Sequence, residues 1–104
     1  MSKKGKISEL VNILAAALRH KIGSIVNPDE IYAQKYAKDA EILMKEAMKI
    51  SAGINWSIQD KTRIRDEVKV KLRLELEKKD FLDNKKFEIM DDEIEKALKM
   101  LGLS

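Results

Sequence analysis

Apolar side chains return every three or four residues from Ile7 onward, at Ile7, Leu10, Val11, Leu14, Leu18, Ile22 and Ile25. That spacing draws one stripe down an α-helix, because positions three and four apart share a face. Ala15, Ala16 and Ala17 add helix propensity and allow close approach of another helix, while Gly23 marks a tight crossing or the final turn. Asn27-Pro28-Asp29-Glu30 reads as a boundary: Asn27 suits an N-cap, Pro28 the first helical position and Glu30 the acid of a capping box. A second stripe follows at Tyr36, Ala40, Leu43, Ala47, Ile50 and Ile54, with Ala33, Ala37, Met44 and Met48 beside it. Its alanines predict a helix packed closely between neighbours, and Gly53 is expected as an αL terminator or a bend. Two long helices joined by so short a polar link predict an antiparallel hairpin.

The third segment opens at Ser57, with Asp60 three residues on as an N-cap signal, and then presents a conflict. From Val68 to Leu76 apolar and charged residues alternate strictly, which is a strand pattern, and Lys86-Phe87-Glu88-Ile89 alternates as well. An α+β fold with a hairpin at 67–77/86–90 is therefore the alternative architecture. Against it, Leu, Lys, Arg and Glu are good helix formers. Glu67/Lys71 and Glu75/Lys79 are also spaced for favourable helix pairs, and Ile64 extends the row Val68, Leu72, Leu76 by one turn. The balance favours a helix with a second apolar row at Val70 and Leu74; such a helix is either central or offers that second row to another protein. After a polar, turn-like stretch from Asp80 to Lys86, Asp91 is expected to cap a short last helix. Ile94, Ala97, Leu98 and Leu101 would face inward on it, and Gly102 would stop it. The fold predicted is all-α, a small bundle of four helices, with residues 1–6 a mobile basic tail and 7–104 a single helical domain.

Composition narrows the function classes. With 104 residues the chain sustains one core, and its charged residues (38%) mix both signs, as on a solvated, ion-paired surface. Twenty-one Lys+Arg against 18 Asp+Glu leave +3, and the pI near 9.1 permits nucleic-acid contact without requiring it. The absence of cysteine excludes disulfides, thiolate metal sites and cysteine nucleophiles. No apolar run approaches the ~20 residues that span a bilayer, and no secretory pattern follows the basic N-terminus, so a soluble cytoplasmic protein without membrane contact is expected. Abundant Lys, Glu and Ile, with glutamine only at Gln34 and Gln59, lean toward a thermophilic source.

Candidate chemistry is sparse. His20, the only histidine, is followed by Lys21 rather than the carboxylate or amide that a phospho-accepting helix needs, and reads as an ordinary helix residue. Pro28-Asp29 with Glu77-Lys78-Lys79 spells the Pro-Asp…Glu-x-Lys order of metal-dependent nucleases, whose acids hold Mg²⁺ on adjacent strands; capping explains Pro28-Asp29 more simply. Asp91, Asp92 and Glu93 have the donor type for a hard cation, but acids in a first helical turn are what the macrodipole favours. No Gly-rich phosphate loop, Ser/His/Asp set or dinucleotide fingerprint is present. No catalytic residue, cofactor or metal is therefore expected, and the chain reads as a non-enzyme. The densest basic cluster is Lys61, Arg63, Arg65, Lys69, Lys71 and Arg73. These are candidate contacts to duplex DNA through phosphates alone, since no aromatic is interleaved for stacking. Trp56, beside a helix start, is a loop anchor or an interface hot spot for a protein partner or a second copy.

Ile54-Asn55-Trp56-Ser57, then Asp60-Lys61-Thr62-Arg63, then Val68-Lys69-Val70-Lys71-Leu72-Arg73 resembles the C-terminal region of type I restriction-enzyme motor subunits. There an aliphatic-Asp-Trp-Thr segment precedes an Arg/Lys-rich amphipathic helix, an aromatic turn and a short closing helix. The likeness spans roughly residues 45–101, with Asp80-Phe81-Leu82-Asp83 standing where Gly-Tyr-Pro-Pro often follows. It implies a non-catalytic helical module that docks the motor onto the methyltransferase–specificity core near bound DNA. Trp56, Arg63, Lys69, Lys71 and Arg73 would serve as structural or contact residues. The rival expectation is a small DNA-binding protein using segment 61–79.

Overall fold

The computed structural model describes residues 2–28, 31–79 and 84–104, and these form four α-helices: α1 (Lys3–Val26), α2 (Ala33–Ala52), α3 (Ile58–Glu77) and α4 (Lys85–Met100). Among the described residues there is no strand, so the all-α reading holds and the hairpin alternative at 67–77/86–90 does not. Both alternating stretches are helical. The row Ile64, Val68, Leu72, Leu76 is buried without any exposed surface, which outweighs the period-two pattern, since no partner strand is present among the described residues to use it.

Each helix starts and stops for a local reason, and several boundaries differ from expectation. α1 begins at Lys3, inside the stretch 1–6 expected as a tail, because the Ser2 hydroxyl accepts from the Gly5 N–H at 3.2 Å. It runs through Gly23, which is buried in the last turn, and ends at Asn27, whose N–H bonds to the Gly23 carbonyl. Asn27 is thus the C-cap of α1 and not the N-cap of α2. α2 starts at Ala33 without a side-chain cap, and the Asp29-Glu30 part of the expected box lies outside the described residues. Gly53 closes α2 at φ −93°, an ordinary negative value instead of the expected αL turn.

α3 has the capping box that Ser57 and Asp60 announce: Asp60 N–H to Ser57 Oγ at 3.1 Å, and Ser57 N–H to Asp60 Oδ2 at 3.0 Å. α4 begins two turns before Asp91, which is therefore an interior residue. Its end is a Schellman motif around Gly102 at φ 72°, with Leu103 N–H to Leu98 O at 2.8 Å and Gly102 N–H to Lys99 O at 3.1 Å. That turn folds Leu103 back into the core at 1% exposure.

α1 is the hub. Its buried residues, including Leu10, Leu14, Ala17, Leu18 and Ile22, cover too wide an arc for one neighbour, and α1 touches all three other helices. α2 runs back along it as the second arm of the predicted hairpin, through Ala33, Ala40 and Ala47 at seven-residue intervals. These small residues permit close approach. α3 is parallel to α1, with Lys3 reaching Asp60 at one end and Arg19 reaching Glu75 toward the other. α4 is antiparallel to α3: Arg65 meets Glu95, Lys69 meets Asp91 and Arg73 lies over Phe87, so steps of four along α3 match steps of four back along α4.

Helices α1, α3 and α4 therefore enclose the main core, and among the described residues α2 touches α1 alone. This corrects the expectation that α2 sits between neighbours. It is an outlying helix whose other flanks are open. No helix among the described residues is long and apolar enough to cross a membrane.

Candidate interaction surface

The two apolar rows of α3 meet different fates. Residues two apart on a helix are rotated by about 200°, so Val70 and Leu74 lie across the cylinder from the buried Val68/Leu72/Leu76 row. They remain 62% and 54% exposed, and Ile58 at the start of the helix is 83% exposed. Toward α1 the second row borders a groove of about 420 Å³, with Ser8, Val11 and Asn12 as one wall and Glu67, Val70, Lys71 and Leu74 as the other. A second depression continues from Asp66 and Glu67 past Thr62 and Gln59 to Ile58. Val70 and Leu74 thus form a small apolar patch on the outer face of α3, separated from Ile58 by the polar Gln59, Thr62, Arg63, Asp66 and Glu67.

The basic residues expected to contact DNA are also on α3, but most face carboxylates of this same chain. Arg63 Nε lies 3.0 Å from Glu67, and Arg65 donates to both Glu95 oxygens at 2.8 and 3.1 Å, which raises its pKa. Lys69 is 3.3 Å from Asp91, and Arg73 is 3.6 Å from Glu77 and 5.5 Å from the Phe87 ring centre. Exposed pairs of this kind contribute about 0–1 kcal/mol each; Arg65–Glu95 and Lys69–Asp91 bridge α3 to α4, whereas Arg63–Glu67 and Arg73–Glu77 lie within α3. Lys61 and Lys71 alone of the six have no carboxylate partner among the described residues. Helix pairing also departs from the sequence expectation, because Glu67 takes Arg63 and Glu75 takes Arg19 at 2.9 Å.

Trp56 is half-buried and packs against the core. Its indole N–H donates to the Ser51 carbonyl at 3.1 Å, in the last turn of α2, where the Ile54 N–H also donates at 3.4 Å. Lys3 sits 6.0 Å from its ring centre and 2.6 Å from Asp60, so the start of α1, the Trp56 loop and the start of α3 are tied together. The tie to Lys3, with the Ser57 N–H, holds the Asp60 carboxyl down at about 2. Trp56 is accordingly an anchor within the chain.

The remaining candidates are placed as follows. His20 is half-buried with its ring 5.6 Å from that of Tyr36, and burial together with Arg19 lowers its pKa. Of the nuclease-like pair, Glu77 is on a helix with Arg73, and Asp29 lies outside the described residues. No three His, Cys, Asp or Glu side chains converge on a cation position among the described residues. Asp91 serves Lys69. Glu93 turns inward at 4% exposure between Lys21 at 2.5 Å and Lys96 at 3.1 Å. Burial alone would raise the Glu93 pKa, but the two ammonium groups outweigh it and the net shift is downward.

Sequence reasoning missed two buried charges, Glu93 and Lys86. Lys86 donates to the Lys79 carbonyl at 2.7 Å. Their signal was available: Lys86, Met90, Glu93 and Ala97 continue one row at spacings of four, three and four, which places both charges on the inner face. No protein-family model, curated protein or solved structure matches this chain.

Proposed function

We propose that this chain is a non-catalytic interaction module that holds an amphipathic helix of a partner protein along the outer face of α3. The single observation that carries the reading is the second apolar row of α3, left exposed opposite the core row and bordering the groove against α1. A partner helix laid there would set its own apolar row on Val11, Val70 and Leu74, with charges meeting Asp66, Glu67 and Lys71 at the rim. The DNA-binding alternative through segment 61–79 is disfavoured because Arg63, Arg65, Lys69 and Arg73 already face in-chain carboxylates. The resemblance to restriction motor subunits makes their methyltransferase–specificity core the first partner to test.

Burying the exposed halves of Val70 and Leu74 is worth about 2 kcal/mol together, or about 30-fold in Kd. The purified methyltransferase–specificity core of a type I system, titrated into the labelled chain by fluorescence anisotropy, should bind. Val70→Ala/Leu74→Ala should weaken it about 30-fold with the fold intact. Equal binding by the double variant would remove the α3 face as the dock, and no binding at all would remove the restriction role. Sedimentation equilibrium run in parallel identifies a second copy as the occupant if a dimer forms and the same substitutions dissociate it.

A further inference from the structure

A second group of basic side chains lies on α2, away from the basic cluster of α3. Lys35, Lys38, Ile42, Lys45 and Lys49 follow one another at spacings of three, four, three and four, and so form a single row along the helix. The row lies opposite the Ala33/Ala40/Ala47 face that packs on α1. All four lysines are exposed, Ile42 is 51% exposed, and none of the four lysines has a carboxylate partner among the described residues. Asp39, Glu41 and Glu46 stand three or four residues from these lysines and border the row, but no ion pair joins any of them to it among the described residues. From Lys35 to Lys49 it extends about 21 Å.

We infer that this row of α2 is a docking surface for the phosphate backbone of duplex DNA, held without sequence preference. Lysines are point cations on mobile stems, suited to phosphate and unsuited to reading bases with a fixed fork. A straight, rigid array about 21 Å long matches a stiff, regularly charged polyanion. The row holds no aromatic platform on which single-stranded bases would stack. The helix keeps its small-residue face against α1, so it cannot sink an apolar face into a lipid surface. Ile42 alone is too small an apolar centre for an acidic protein partner. The surface is independent of the α3 groove, and neither proposal needs the other.

The test is the salt dependence of binding to a fluorescein-labelled, mixed-sequence duplex of about 20 base pairs. Four phosphate contacts give a slope of about −3.6 in log K against log salt, and so about 150-fold weaker binding at about 200 mM than at about 50 mM. Lys38→Gln/Lys45→Gln should reduce the slope to about −1.8. The charge-matched control Lys69→Gln/Arg73→Gln, which removes cations already facing carboxylates, should leave the slope unchanged. All four substitutions are at exposed positions, and far-UV circular dichroism confirms that each variant keeps its helices. Failure to bind at about 50 mM salt would overturn the proposal, as would equal slopes in the two double variants, which would reduce the effect to net charge. A polyglutamate peptide that binds with the same affinity and slope as the duplex would overturn DNA as the occupant.

Discussion

Leu72 and Leu74 are two residues apart in α3 and should respond to truncation in opposite ways. Leu72 is fully buried in the core formed with Leu10, Leu14, Ile64 and Ile94, whereas Leu74 is 54% exposed on the outer face. Leu72→Ala removes buried methyl groups and leaves a cavity, at a cost of about 3 kcal/mol. Leu74→Ala loses only partial burial and gains slightly in helix propensity, for a net change within about 0.5 kcal/mol. A chain of this size has about 5–15 kcal/mol to lose, so the first variant should still fold. Urea unfolding followed by circular dichroism measures both. With an m-value of about 1.5 kcal/mol/M, Leu72→Ala should lower the midpoint by about 2 M at unchanged slope, and Leu74→Ala should leave it within about 0.3 M. Comparable losses in the two variants would refute the helical register, because residues two apart share a face only on a strand.

The Asp60 carboxyl, held at about 2 by Lys3 and the Ser57 N–H, stabilises the fold in its charged form. A depressed carboxylate contributes fully above its ordinary value near 3.8 and loses that contribution as pH falls through about 2. The melting temperatures of the parent and Asp60→Asn should therefore differ at about pH 6 and converge toward pH 2; a gap constant with pH would count against it. Trp56→Phe keeps an aromatic ring but removes the donor to Ser51, and should cost about 1 kcal/mol by urea unfolding. No loss would mean that the indole N–H does not cap α2.

The helical rows and the N-terminal hairpin were legible because each is a local property: the spacing of Ile7 to Ile22 (Ile25, the last of that stripe, is exposed), the Ser57/Asp60 box, Gly102 at a helix end. The strand signal at Val68–Leu76 misleads for a physical reason. A helix that is apolar on two opposite sides produces the same alternation as a strand with one apolar face, and the distinction rests on whether Ile64 extends one of the rows. Asp91 looks like a cap because acids favour helix starts, yet here it is an interior residue serving Lys69 across the α3–α4 contact.

The candidate site was legible in part. That α3 has a spare apolar face follows from the sequence. That its arginines are already engaged follows only from the register of α4 against α3, a long-range fact that composition cannot encode. The lysine row of α2 was masked in linear reading by Asp39, Glu41 and Glu46, and that none of these acids pairs with it is visible only in the side-chain arrangement.

The central claim is that α3 keeps one apolar row inside and leaves the other free. Methyl NMR with a soluble paramagnetic agent tests it directly, since the agent broadens only methyl groups it can approach. The Val70 and Leu74 signals should broaden while those of Val68 and Leu72 stay sharp. Equal protection of all four, or exposure of Val68 and Leu72, would contradict it.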